Sequence, residues 1–241
     1  SRFLKMGRLS FIIDGKGDFM DNFLIIDGSS LVNRAFYAMP PLSNKKGIQT
    51  NAIFGFVRML DKLIDTYEPQ RLAVLFDAKG PNFRKELYKD YKGTRDSFPT
   101  ELSLQITLLI NLLETRGIKT YEEVGLEADD IAGSLANKFK DKFNVLLVTG
   151  DRDYLQLVDD KVNVLYTKKG ISDTVTYDVA QVVEEYGFGP EKLVDLKALM
   201  GDQSDNIPGV PGIGIKTGKS LISEYGSLDG VYENIDKISG K

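Results

Sequence analysis

The chain has 241 residues, 42% of them hydrophobic, with 35 acidic against 31 basic side chains and a net charge of −4. It contains neither Cys nor His, which excludes disulfides, thiol catalysis, the Ser-His-Asp triad and almost every zinc enzyme. Asp, Glu, Lys, Arg, Tyr, Ser and Thr remain, and an acid-only site points to a hard, oxygen-preferring cation such as Mg²⁺ or Mn²⁺. No apolar run approaches membrane-spanning length, so a soluble protein without a membrane partner is expected.

Residues 1–19 mix Lys5, Arg8, Asp14, Lys16 and Asp18 with short apolar runs. They read as an extension foreign to the natural chain, with Met20 as its start. Residues 23–26 then form a short apolar strand ending at Asp27-Gly28, and 53–67 carry helical periodicity through Phe54, Val57, Leu60, Leu63 and Ile64. A second strand spans 71–76 and ends at Asp77. A helix over 102–115 is closed by Gly117 and followed by a short strand at 119–121. Residues 128–139 form a helix that opens on an acidic cluster. A buried strand at 145–148 leads into Thr149-Gly150-Asp151, and another strand covers 162–166. The remainder is expected to be helical, punctuated at 187–190 and 207–214. Alternating strands and helices predict an α/β fold, a mainly parallel sheet covered on both faces, followed by a helical part.

Three apolar strands each end in an aspartate, namely Asp27, Asp77 and Asp151. Each alone is an ordinary turn residue. Parallel sheets, however, bind ligands at the carboxyl ends of their strands, so the three should converge on one edge. Glu127, Asp129 and Asp130 at a helix start repel one another beyond what the helix dipole needs. Asp151 and Asp153 stand two apart. Asp202 and Asp205 share a face if their segment is helical, and a polar turn is an equal reading. These nine acids could share a cleft only with cations among them. The arrangement suits two ions about 4 Å apart, the spacing of two-metal phosphodiester hydrolysis. With the nine set aside, the 31 Lys and Arg outnumber the remaining acids, so the acidic balance does not argue against DNA.

Residues 83–95 interleave bases with aromatics, a composition that grips backbone phosphates and stacks bases. Arg84, Tyr88, Lys92 and Arg95 fall on one stripe at helical spacing. A solvated face with local ion pairs fits equally well. Lys92 could neutralise charge on a scissile phosphate. Residues 209–217, GVPGIGIKT, place Gly212 and Gly214 before a helix start carrying Lys216 and Thr217, where backbone N–H groups can meet a phosphate. A P-loop and a dinucleotide fingerprint both fail there, each for want of one glycine.

The segments LIIDGSSLVNRAFYA, VLFDAKGPNFRKELYKDYKGTR, GLEADDIAGSLA, LLVTGDRDYLQLV and the stretch from Leu196 to Ile235 resemble, in order, the 5′-nuclease (flap endonuclease) family, above all the N-terminal 5′→3′ exonuclease domains of bacterial DNA polymerases. The resemblance implies a PIN/resolvase-like core over 20–190, with a helical arch near 79–102. It implies a helix-hairpin-helix DNA-binding region over 191–241, cut short at Lys241. It assigns Asp27, Asp77, Glu127, Asp129 and Asp130 to one metal group and Asp151, Asp153, Asp202 and Asp205 to the other. Arg84 and Lys92 become the catalytic cations that contact the reacting strand. Arg34, Tyr91, Arg95, Gly212, Gly214, Lys216 and Thr217 become DNA contacts. K⁺ would be held by backbone carbonyls at Val210 and Ile213.

The function expected from this is structure-specific 5′→3′ exonuclease and 5′-flap cleavage of DNA with two Mg²⁺, Mn²⁺ substituting, in RNA-primer removal and repair. The partners would be 5′ flaps, nicks, 5′ ends and RNA primer–DNA junctions. The enzyme would be monomeric, cytoplasmic and nucleoid-associated, and linked to polymerase domains in the native chain. The alternatives are a non-catalytic DNA-structure-binding module and a PIN-type ribonuclease, the latter leaving the glycine hairpin and the basic segment unexplained.

Overall fold

The computed structural model describes residues 20–80, 82–94, 99–169 and 173–238. The expected extension at 1–19 and the DNA contact at Arg95 therefore lie outside the described residues. Strands β1 (Asn22–Asp27), β2 (Arg71–Leu75), β3 (Lys119–Tyr121), β4 (Asn144–Thr149), β5 (Val162–Lys169) and β6 (Asp173–Tyr177) form one sheet in the order β3-β2-β1-β4-β5-β6. All neighbours are parallel except β5 and β6. The chain starts in the middle, runs outward to β3, then crosses back beyond β1. Order therefore reverses between β1 and β4, where the loops diverge and a crevice opens at the strands' carboxyl ends.

Alternation sorts the strands' apolar side chains onto two faces. Leu24, Ile26, Val74, Phe76, Leu146, Val148 and Leu165 pack with helices α1 (Gly28–Ala38), α2 (Asn51–Tyr67) and, beyond the short α3 (Phe83–Leu87), α4 (Thr100–Thr115). Phe23, Ile25, Ala73, Leu75, Val145, Leu147 and Val164 pack against α5 (Ala128–Phe139) and a 3₁₀ turn at Arg152–Leu157. Helices α6 (Val179–Tyr186), α7 (Leu193–Met200), α8 (Ile215–Tyr225) and α9 (Leu228–Glu233) contribute Val182, Leu196, Leu199, Leu221, Ile222 and Val231 to that same cluster. The C-terminal helices thus share a continuous core with the sheet, which fixes them relative to its edge.

Three expectations are corrected. The stretch after β5 is not wholly helical, because the alternating, β-branched Asp173–Tyr177 first returns as an antiparallel edge strand. The Arg84–Lys92 stripe is not one helix. α3 ends at Leu87, Tyr88 is extended, and Lys92 is left-handed at φ 53° because its N–H is drawn to the Asp205 carbonyl at 2.9 Å. Of the two readings of Asp202 and Asp205, the polar turn is the one found: Asp202 ends the two-residue strand β7 (Gly201–Asp202) and Asp205 lies in the tight turn that leads to β8 (Ile207–Pro208). The segment between Asp27 and α2, for which no helix was expected, contains α1, capped by Asp27 itself.

Gly28 sits where β1 turns into α1. A Cβ there would stand 2.8 Å from both the Leu75 carbonyl oxygen and the Phe76 ring. Gly28→Ala should therefore lower unfolding stability by about 1–3 kcal/mol, the usual cost of overpacking a rigid contact. Denaturant titration measures this, and an unchanged midpoint would contradict the packing described.

Candidate active site

Asp27 ends β1, and Asp77 and Asp151 lie two residues beyond β2 and β4, its two neighbours. All three line one cleft of about 950 Å³ together with Glu127, Asp129, Arg34, Lys92 and Tyr154. The Asp27-Gly28-Ser29-Ser30 corner holds this edge together. The Asp27 carboxylate accepts from Ser30 N–H at 2.9 Å and from the Thr149 hydroxyl at 2.8 Å. Ser29 Oγ accepts from Asp77 N–H at 2.9 Å, and Ser30 Oγ accepts from Gly150 N–H at 3.0 Å. One corner thus ties down the loops after both neighbouring strands. Asp77 Oδ1 in turn accepts from Ala128 N–H at 2.8 Å, docking the start of α5 on the same edge.

The other acids meet the cleft through side-chain cations. Arg84 grips Asp130 with two hydrogen bonds of 2.6 and 2.8 Å, and Lys92 Nζ is 2.8 Å from Glu127 Oε2. The Tyr91 hydroxyl lies 2.9 Å from Glu127 and 3.0 Å from Asp205, joining the acidic helix start to the β7–β8 turn. Lys197 stands between Asp153 and Asp202, at 2.7 and 2.6 Å. Asp202 also accepts from the backbone N–H and hydroxyl of Ser204. Asp27, Asp77, Glu127, Asp129 and Asp151 therefore face the first cleft. Asp130 and Asp153 line an adjoining one of about 260 Å³ with Asp129 and Tyr154. Asp202 and Asp205 are linked to the cleft linings through partners that include Lys197 and Ser204 for the one, and Tyr91 and the Lys92 backbone for the other.

Arg34 lines the first cleft and donates from Nη1 to the Lys168 carbonyl at 3.1 Å. Its approach depends on Gly150, where a Cβ would lie 2.8 Å from the guanidinium. In the glycine hairpin, Gly212 is left-handed at φ 83°, Gly214 caps α8, and Lys216 and Thr217 occupy the first turn of that helix. Val210 O accepts from Ile213 N–H at 3.0 Å. None of these hairpin residues lines either cleft.

Electrostatics report the crowding. Burial, with smaller contributions from Asp77 and Asp151, pushes the Asp27 carboxyl up to about 7. Burial also pushes Asp129 up to about 6, against the pull of Arg84, and raises Asp153 against Lys197. Asp130 is held below its ordinary value and Asp202 down to about 2, because Arg84 and Lys197 respectively outweigh their burial. Tyr91 is raised by burial and by the neighbouring Glu127 and Asp205.

These donors fit a hard divalent ion. All are oxygens, and among the described residues the buried side-chain atoms without a hydrogen-bond partner are Arg34 Nε, Asp129 Oδ1 and the Tyr154 hydroxyl, every one on a residue lining this cleft. Among the described residues no group of three acids is gathered closely enough to enclose an ion. Mg²⁺ needs no such cage, since one or two carboxylates and several waters satisfy it. Sequence reasoning passed over Ser29, Ser30, Thr149, Asn82, Tyr154 and Lys197. Asn82 caps α3 and donates to Glu127 at 2.6 Å. The Asp-Gly-Ser-Ser string was the available signal for the serines, as an N-cap box at a strand end.

Residues 22–187 match the family model for the 5′-3′ exonuclease N-terminal resolvase-like domain, and residues 188–241 match that for the 5′-3′ exonuclease C-terminal SAM fold. The chain is 49% identical over 219 residues to DNA polymerase I of Bacillus caldotenax, and 46% identical over 219 residues to DNA polymerase I of Bacillus subtilis (strain 168). Each match covers 90% of this chain and 25% of the relative, so the chain spans about a quarter of the length of the curated relatives it matches. Among solved structures, the T5 D15 protein co-crystallised with metal ions is similar with TM-score 0.74 and 27% identity, over 91% of this chain and 81% of that one. The bacteriophage T5 D15 flap endonuclease, in a pseudo-enzyme–product complex with DNA and metal ions, is similar with TM-score 0.72 and 27% identity, over 91% and 80%.

The folded chain keeps a proton on Asp27 up to about pH 7, whereas the unfolded chain loses it near 3.8. Metal-free stability therefore falls as pH rises across that interval. Asp27→Asn keeps an acceptor for Ser30 and cannot ionise. Its thermal midpoint in chelator should exceed that of the parent chain, by more at pH 8 than at pH 5. A difference that fails to grow with pH would contradict the buried carboxyl.

Proposed function

The chain belongs to the 5′-3′ exonuclease family, and from that premise we propose that it is a structure-specific nuclease trimming 5′ ends and cutting 5′ flaps of DNA. The observation that carries this reading is the convergence of Asp27, Asp77 and Asp151 on one sheet edge, beside an acidic helix start and three basic side chains. Asp27, Asp77, Glu127, Asp129 and Asp130 would hold one divalent ion, and Asp151, Asp153, Asp202 and Asp205 a second. Such ions, Mg²⁺ or Mn²⁺, supply a water of lowered pKa and neutralise charge on the phosphate and the departing oxygen.

The chain's own residues position the strand. Arg34 carries a fixed positive charge into the cleft, where a phosphate would meet it. Lys92 on the cleft wall and Arg84 in the adjoining cleft are held on Glu127 and Asp130. With those acids engaged by a cation, both side chains would be free to pair with DNA phosphates, which would be their catalytic role. Tyr91, beneath Lys92 at 5.0 Å, sets the height of that side chain. The hairpin at Gly212, Gly214, Lys216 and Thr217 would grip duplex DNA away from the cleft, with K⁺ on the carbonyls of Val210 and Ile213. Residues 20–190 would then be the catalytic unit and 191–241 the duplex-binding unit. In the longer relatives' manner, polymerase domains would follow, and RNA primer–DNA junctions would be among the substrates.

Asp202→Ala should slow Mg²⁺-dependent cleavage of a 5′-flap duplex by roughly a hundredfold or more, the scale of losing one ion's several kcal/mol of transition-state stabilisation. Binding of the same duplex should persist in a gel-shift titration. Unchanged turnover would count against the metal assignment.

A further inference from the structure

Tyr154 belongs to no group assigned above. It follows Asp153 in the 3₁₀ turn at Arg152–Leu157 and is 2% exposed, with its ring in the core beneath the sheet edge. Its hydroxyl is fully buried and, among the described residues, has no hydrogen-bond partner. The same residue borders both clefts, and so does Asp129, whose Oδ1 is likewise buried and, 3.7 Å from Arg84 Nη2, makes no hydrogen bond among the described residues. Asp27, Asp129, Asp77 and Asp151 all act electrostatically on the hydroxyl, in that order after burial, and hold it protonated. Phe would fill the same space without stranding a polar atom, and buried hydroxyls are almost always satisfied. A hydroxyl that feels four carboxylates yet, among the described residues, hydrogen-bonds to none of them is available to something that enters the cleft.

We propose that Tyr154 is a positioning residue for the hydrated divalent cation, its hydroxyl and Asp129 Oδ1 together holding one water of the ion's shell. A water is the chemistry that fits, because it can donate to the carboxylate oxygen and accept from the phenol at once. An incoming anion would be repelled by the four acids unless a cation accompanied it. Groups in this outer position orient the ion's waters without touching the ion and contribute about tenfold to a hundredfold in affinity.

This inference rests on the metal assignment of the proposed function, and the test separates the two. Mn²⁺ alone is titrated into the chain, without DNA, and followed by calorimetry and by the loss of the free-ion electron paramagnetic resonance signal. Tyr154→Phe should weaken Mn²⁺ binding about tenfold while its thermal midpoint in chelator equals or exceeds the parent's, since the variant loses only an unsatisfied hydroxyl. Undiminished Mn²⁺ affinity in Tyr154→Phe, with tight binding by the parent, would overturn the role of Tyr154 and leave the metal site standing. A lowered midpoint in chelator would assign the hydroxyl to structure and overturn it too. No Mn²⁺ binding by the parent chain would overturn both readings.

Discussion

The four-residue corner from Asp27 to Ser30 is the constraint on which the rest of this edge depends. It lies where the sheet order reverses, so its neighbours on either side are the ends of β2 and β4. Asp27 caps α1 and fixes the Thr149 hydroxyl, while Ser29 and Ser30 hold the backbones at Asp77 and Gly150. Each bond is short-range and ordinary. Together they give the strand-end acids one geometry, and Asp77 passes it on to the start of α5 through Ala128 N–H. The glycine between them lets α1 leave the sheet against Phe76 at a distance that no Cβ would permit.

The consequence is crowding of like charge, and the structure meets it in two ways. Where desolvation dominates, as at Asp27 and to a lesser degree Asp129, it raises the pKa and lets a proton remove part of the charge. Where a base is within reach, the acid stays ionised against it. Arg84 does this for Asp130, and Lys197 for Asp202. The cations come from elements far apart in sequence, so α3 and α7 are drawn to the same edge by charge as well as by packing. A divalent ion would compete with both compensations, displacing protons from the first set and side-chain cations from the second. The acidic and basic side chains of this edge are in this way parts of one balance.

Much of this was legible in the sequence, for identifiable reasons. Five strands and the long helices announced themselves because apolar periodicity and terminal Gly or Asp are local signals, and the convergence of Asp27, Asp77 and Asp151 followed from parallel-sheet geometry alone. What escaped depended on contacts distant in sequence. Residues 88–94 carry helical spacing but turn instead, because Asp205 and Asn206 capture the backbone of Lys92 and Asp90. For Asp202 and Asp205 the sequence allows a helical face and a polar turn alike; the turn forms because Gly201 and Gly209 let two short strands approach where a Cβ would clash. Nothing in the sequence singles out Lys197, which the approach of Asp153 and Asp202 makes a counterion. Nothing in the sequence singles out Tyr154 either, since its ring is core and the hydroxyl without a hydrogen bond is visible only in three dimensions.

The central claim is that this sheet edge is built for a divalent cation. Its most direct test is the thermal midpoint of the unmodified chain at pH 8 as MgCl₂ is raised, against NaCl at matched ionic strength. Specific binding to the folded state predicts a rise with Mg²⁺ that grows logarithmically above the dissociation constant and that NaCl does not reproduce. Equal shifts in the two salts would mean that only general screening acts on these acids, and would contradict the account.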